Sequence, residues 1–138
     1  MKKSLVSVLS IVLLLFLFGC SSNQNSITIV GTPDSYSPLS SAVRGIQLTV
    51  SAPIEEDEIE YRWKTTGGTF FINADGTSMV EYTGKSVFWS CSFDVASRCY
   101  AGDSTKINVI AYNTKTGNSV AYGSVEITKT DTIYSIDK

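Results

Sequence analysis

The 138-residue sequence contains no histidine, and this absence removes several kinds of chemistry at once. Histidine is the commonest general base and a frequent metal ligand, so Ser-His-Asp and Cys-His catalysis cannot be built from this chain. Cys91 and Cys99 also make a poor zinc site, because no histidine is there to complete the ligand set. We therefore expect a protein that is not an enzyme and that holds neither a metal nor a cofactor.

Basic residues are few and scattered, with 11 Lys and Arg against 13 Asp and Glu. Two of the lysines, Lys2 and Lys3, precede the first apolar run, which leaves nine basic residues against 13 acidic ones in the rest of the chain. A mildly acidic chain without a basic cluster is a poor partner for nucleic acid. We expect no nucleic-acid binding.

The amino-terminal segment has the layout of a secretory signal. Lys2 and Lys3 are followed by an apolar run from Leu5 to Phe18 that only two serines interrupt. This run has about 14 residues, whereas about 20 are needed to span a bilayer comfortably. The sequence predicts a cleaved signal peptide; a transmembrane anchor and a secreted protein cut elsewhere are the alternatives.

Leu17-Phe18-Gly19-Cys20 resembles the lipobox of bacterial lipoproteins. The resemblance implies that residues 1–19 are removed and that the Cys20 thiol is diacylated, usually with acylation of the new amino terminus. Two or more acyl chains hold a protein firmly on a membrane. We therefore expect an extracytoplasmic protein anchored to membrane lipid, on the outer membrane if the host is Gram-negative, since Ser21 is not the aspartate of an inner-membrane retention signal.

The chain from Cys20 onward has a length that suits one domain. Residues 20–26 form the lipidated cysteine and a short polar tether. We expect a folded domain over residues 27–128, and a loose tail or an edge strand over residues 129–138.

With Cys20 acylated, Cys91 and Cys99 remain in an oxidising compartment. We expect them to form a disulfide that closes a short loop and contributes roughly 2.5 kcal/mol. Their spacing is not the Cys-x-x-Cys of redox-active pairs.

Alternation of apolar and polar residues predicts strands. Ile46, Leu48 and Val50 alternate with polar residues, and Ile59, Tyr61 and Trp63 do the same. Further strands are predicted at 27–30, 69–72, 79–82 and 85–90, and a hairpin at 106–112 and 120–127. No helical period of ten or more residues follows the signal. The pattern predicts an all-β, antiparallel two-sheet sandwich.

The domain resembles bacterial Ig-like modules of the PKD-like type. The resemblance lies in the run from Tyr61 to Phe70, in Trp89, in the run from Lys106 to Tyr112 leading into Gly117, and in Val125-Glu126-Ile127. It implies an Ig-like sandwich with a tryptophan in the core between the sheets. It implies no enzymatic activity, because function belongs to sites rather than to folds.

Two surfaces are candidates for binding. Phe93 and Tyr100 lie in or beside the cystine loop, where they would contact a protein or a glycan; the alternative is an edge covered by that loop or by the tail. The acidic run Glu55 to Glu58 is predicted to be a solvated loop; a calcium site and, as the weaker alternative, the paired carboxylates of a glycosidase are the other interpretations. Trp63 is predicted to lie in the core.

These features favour a non-enzymatic binding module of the cell envelope that recognises a protein or a glycan. The first alternative is a structural or assembly subunit that joins an envelope complex through exposed strand edges. A weaker alternative is a lipoprotein that inhibits an enzyme.

Overall fold

The computed structural model describes residues 25–39, 43–51, 53–54, 57–71, 78–91 and 104–137. The predicted signal peptide, Cys20 and most of the tether lie outside these ranges. Phe93, Cys99 and Tyr100 lie outside them as well. The statements that follow concern the described residues.

The described chain consists of β-strands joined by turns. No helix long and apolar enough to span a membrane occurs in this part of the chain. The strands are β1 (Asn25–Ser26), β2 (Thr28–Thr32), β3 (Ser35–Tyr36), β4 (Ile46–Ser51), β5 (Ile59–Thr65), β6 (Thr69–Phe71), β7 (Ser78–Met79), β8 (Glu81–Thr83), β9 (Ser86–Ser90), β10 (Ser104–Asn113), β11 (Ser119–Thr130) and β12 (Ile133–Ile136).

Two sheets share one hydrophobic core. The seven-stranded sheet has the order β3-β12-β11-β10-β5-β8, with β1 beside β11, and the five-stranded sheet has the order β2-β4-β9-β6-β7. All pairs are antiparallel except β1 with β11, which is parallel. The prediction of an all-β protein with two antiparallel sheets is confirmed.

The core forms where the predicted alternation places it. Ile46, Leu48 and Val50 of β4 face Tyr61 and Trp63 of β5 across the space between the sheets, and all five side chains are buried. Burial of such side chains from water is the main stabilising contribution of the fold. The prediction that Trp63 lies in the core is confirmed.

The buried indole groups also find hydrogen-bond partners. Trp63 Nε1 donates to the Gly84 carbonyl oxygen at 2.7 Å, and Trp89 Nε1 donates to the Gly67 carbonyl oxygen at 2.9 Å. Gly68, which follows that second acceptor, has a φ of 68°, and a Cβ there would meet the Trp89 ring at 2.6 Å. Glycine is therefore required at this turn for its backbone conformation and for the space above the ring.

The predicted hairpin of the last long strands is confirmed. β10 and β11 pair antiparallel from Ser104 opposite Thr128 to Tyr112 opposite Ser119, so both strands are longer than predicted. The last residues, for which a tail or an edge strand was expected, form β12, which pairs with β11 on one side and β3 on the other.

The amino-terminal segment alternates between the sheets. Asn25–Ser26, expected to be part of the tether, form β1 on β11, and the Ile27 N–H donates to the Tyr122 carbonyl oxygen at 2.9 Å. The chain then joins the five-stranded sheet as β2. Gly123 makes this crossing possible, because a Cβ there would meet the Ile27 carbonyl oxygen at 2.6 Å.

The segment predicted as one strand at 79–82 is two strands. β7 belongs to the five-stranded sheet and β8 to the seven-stranded sheet, and Val80 lies between them. This single residue carries the chain from one sheet to the other, so the prediction of one strand was wrong.

Candidate functional site

The chain enters the sandwich at one end, which we call the entry end. Asn25 pairs beside Ala121, close to the β10–β11 turn of residues 114–118. That turn is closed by Asn113, whose Oδ1 accepts the N–H groups of Lys115 and Thr116, each at 3.0 Å. The entry end therefore holds the first described residue and a tight polar turn.

The opposite end, which we call the distal end, holds both stems of the predicted cystine loop. Cys91 directly follows β9, and Ser104 begins β10 opposite Thr128 of β11. Thr128 follows Ala121 by seven positions in β11, which at about 3.3 Å per residue is roughly 23 Å. The segment between Cys91 and Ser104 thus leaves and rejoins the sandwich far from the point where the chain enters.

Cys91 is fixed in place by buried contacts. Its side chain is 2% exposed, and its N–H donates to the Tyr36 hydroxyl at 2.5 Å. Cys99, Phe93 and Tyr100 lie outside the described residues. The disulfide and the two ligand contacts therefore stay predictions.

Three aromatic rings support that anchor. The Tyr36 ring stacks on Tyr134 at 5.6 Å between centroids and meets Trp89 edge-on at 6.1 Å. Burial raises the pKa of the Tyr36 phenol, and it raises the pKa of Tyr134 too. Both phenols therefore stay neutral at physiological pH, and the Tyr36 hydroxyl can hold the Cys91 backbone.

Exposed apolar side chains lie in the same part of the fold. Leu39 follows β3 and is 67% exposed, Val43 precedes β4 and is 43% exposed, and Ile133 begins β12 and is 47% exposed. Each of these positions is at the distal end of its strand. Contiguous exposed apolar surface marks interaction sites, so these three positions make the distal end a candidate binding surface.

A second candidate surface is a groove on the outer face of the seven-stranded sheet. It has a volume of about 620 Å³, and its lining includes Arg62, Lys64, Met79, Glu81 and Tyr112. The alternation of β5 that buries Tyr61 and Trp63 turns the polar residues of that strand outward to this face. Sequence reasoning did not find the groove, because its lining comes from four strands, of which only β7 and β8 are neighbours in the chain.

The charges of this groove are neutralised. Arg62 Nε contacts Glu60 Oε1 at 2.5 Å, and Lys64 Nζ contacts Glu81 Oε1 at 2.9 Å. The hydrogen bond that Arg62 donates to the Glu60 carboxylate raises the pKa of Arg62, whose guanidinium carbon lies 4.5 Å from the centroid of the Tyr112 ring. The face therefore offers no net charge to attract a charged ligand.

Tyr112 and Tyr122 both lie on this outer face. The Tyr122 hydroxyl donates to Asn108 Oδ1 at 2.6 Å. One tyrosine is thus engaged by an arginine and the other by an asparagine.

The acidic run is described only in part. Glu55 and Glu56 lie outside the described residues, and Glu58 forms an ion pair with Lys115. In the part of the chain that the structure describes, no group of three or more metal-ligating side chains occurs.

Comparison with known proteins identifies no relative. No family model matches the chain, and neither a curated protein nor a solved structure matches it.

Proposed function

We propose that this protein is a cell-envelope lipoprotein, anchored by acylated Cys20, that acts as a non-enzymatic binding module for a protein or a glycan. Ligand recognition takes place at the distal end. The observation that carries this proposal is the placement of Asn25 and of the two loop stems, Cys91 and Ser104, at opposite ends of the sandwich.

Together with that placement, the short tether gives the sandwich a defined orientation relative to the membrane. Five residues from Cys20 to Asn25 span at most about 17 Å, so the entry end stays close to the membrane. The distal end then points away from the bilayer. An Ig-like domain held in this way presents its distal loops to whatever approaches the cell surface.

The surroundings of the loop stems support a binding role. Leu39, Val43 and Ile133 are exposed at the same end, and apolar groups there would contribute affinity once covered by a partner. Phe93 and Tyr100 of the loop are the contacts proposed from the sequence. The resemblance of the sequence to Ig-like modules supports this role by analogy alone.

Acylation is tested by metabolic labelling with an alkyne analogue of palmitate. We expect label on the unsubstituted chain and none on Cys20→Ser. Equal labelling of the two chains would contradict the anchor and, with it, the orientation.

Ligand recognition is tested with the double variant Phe93→Ala/Tyr100→Ala in quantitative pull-downs from envelope extracts. We expect partner recovery to fall at least about tenfold, as for the loss of a binding hot spot. Tyr122→Ala is the matched control, because it removes an exposed aromatic ring from the outer face instead. Unchanged recovery with the double variant would overturn the distal site.

A further inference from the structure

The two sheets have free edges of very different lengths. In the described chain, β1, β3 and β7 have two residues each and β8 has three, whereas β2 at the edge of the five-stranded sheet has five. Short edge strands give an incoming strand little to pair with. β2 is therefore the edge to consider as an interaction surface.

The hydrogen bonds of β4 show which backbone N–H and C=O groups of β2 point away from β4. The Val50 N–H donates to the Lys85 carbonyl oxygen at 3.0 Å, so it points away from β2. Val50 is opposite Ile29, and Leu48 is opposite Gly31. Because hydrogen-bonded and non-bonded pairs alternate in an antiparallel ladder, Thr28, Val30 and Thr32 bond to β4 while Ile29 and Gly31 turn their N–H and C=O groups to the free edge.

The hydrogen bond of Ile27 agrees with this assignment of the β2 backbone groups. Ile27 lies two residues before Ile29, so its N–H points to the same side, and it donates to the Tyr122 carbonyl oxygen. The side of the backbone that pairs with β11 at Ile27 thus becomes the free edge once the chain has moved to the other sheet. Two donors and two acceptors follow there in extended spacing, which only another extended backbone matches.

The chemistry of the edge specifies the partner further. Residues 25–32 carry no charge, whereas edge strands are commonly protected by charged side chains. Val30 is 50% exposed, and Thr28 and Thr32 lie exposed on the same outer face. We propose that β2 is an acceptor edge for an extended, uncharged, β-branched strand of a partner protein, which adds a sixth strand to the five-stranded sheet.

A second copy of this chain on the same membrane does not fit that role. Two β2 strands paired antiparallel point in opposite directions, so the entry ends of the two domains would also point in opposite directions. Both cannot then face one membrane while the domains stand upright. This choice of partner rests on the proposed anchoring, whereas the hydrogen-bonding capacity of the edge does not.

The probe is a synthetic, end-capped peptide with the sequence of residues 26–32, an uncharged strand long enough to match the two donors and two acceptors of Ile29 and Gly31. Backbone amide exchange is measured by NMR on the full chain in detergent, with and without peptide. We expect exchange at Ile29 and Gly31 to slow by about tenfold or more, while Thr28, Val30 and Thr32, already bonded to β4, change little. A peptide with proline at alternate positions is the control, because it lacks the donors.

Two variants separate this edge from non-specific association. Val30→Lys places a charge on the edge and is expected to abolish the peptide effect, whereas Thr49→Lys, one strand inward on the same face, leaves it intact. Unchanged amide exchange at Ile29 and Gly31 in the presence of millimolar peptide would overturn the proposal. Failure of the distal-loop test would leave this result unaffected.

Cysteine cross-linking in membranes distinguishes the occupants. In an antiparallel pair of β2 strands centred on Val30, two Val30→Cys chains would come within disulfide distance, whereas two Thr49→Cys chains would not. We expect no excess of cross-linked dimer for Val30→Cys over Thr49→Cys or over the unsubstituted chain. A clear excess would assign the edge to a second copy and overturn the choice of partner.

Discussion

The two ends of the sandwich are closed by the same kind of hydrogen bond in different surroundings. At the entry end the Tyr61 hydroxyl accepts the N–H of Ile54, seven residues earlier, at 2.6 Å. At the distal end the Tyr36 hydroxyl accepts the N–H of Cys91, which is 55 residues later in the chain. The first of these bonds is local in the sequence, whereas the second joins segments that only the completed fold brings together.

The side chains around these bonds differ in the same way. The entry end adds the Asn113 turn and the ion pair between Glu58 and Lys115, which are polar and exposed. The distal end adds the rings of Trp89 and Tyr134, which are buried. The difference teaches that the entry end can tolerate change, whereas the distal end, which carries the loop stems, is built on core packing.

The largest expected effect is that of Trp89→Ala at the distal end. Removing this fully buried ring should lower the free energy of unfolding by about 3–5 kcal/mol, measured by urea denaturation. Ile54→Ala at the entry end removes a partly buried side chain and should cost less than about 2 kcal/mol. Equal losses would break the comparison between the ends.

The paired variants Tyr36→Phe and Tyr61→Phe sharpen the comparison. Each removes a hydroxyl acceptor, but Cys91 is buried whereas Ile54 is partly exposed, so only the Ile54 N–H can turn to water. Tyr36→Phe should cost about 1–3 kcal/mol, and Tyr61→Phe should cost less. The reverse order in urea denaturation would contradict the buried closure of the distal end.

Alkaline pH should destabilise the fold through Tyr36 at the distal end. Burial raises the pKa of Tyr36 above its ordinary value of 10.0, so the folded state holds this proton more tightly than the unfolded state does. Its contribution to stability is therefore constant below about pH 10 and is lost as the pH rises through the folded pKa. The urea midpoint, followed from pH 8 to pH 12, should fall less steeply in Tyr36→Phe than in the unsubstituted chain.

The sequence predicts the parts of this fold that rest on side-chain burial. The alternation of Ile46, Leu48 and Val50, and that of Tyr61 and Trp63, specified β4, β5 and their buried faces. β1 could not be found in this way, because Asn25 and Ser26 pair through their backbone and carry no apolar signal. A hydrogen-bonded edge has no side-chain pattern of its own.

The two candidate surfaces differ in the same way, because one was predicted from side chains and the other follows from backbone pairing. Loop contacts at Phe93 and Tyr100 were predicted from their residue types, whereas the free groups of Ile29 and Gly31 follow only from the register of β2 on β4. The opposite placement of Asn25 and Cys91 is also a property of the topology. The sequence thus suggested which side chains contact a ligand, and the topology showed which backbone groups point to a free sheet edge.

The smallest expected effect is that of Lys115→Ala at the entry end. The ion pair of Lys115 with Glu58 is exposed, and such pairs contribute about 0–1 kcal/mol, because water screens the charges and the long side chains lose freedom. The loss should be measurable only at low salt and should vanish near 1 M NaCl, where the Debye length is about 3 Å. A loss that persists in high salt would mean that Lys115 supports the turn through packing rather than charge, and the entry end would then resemble the distal end more closely.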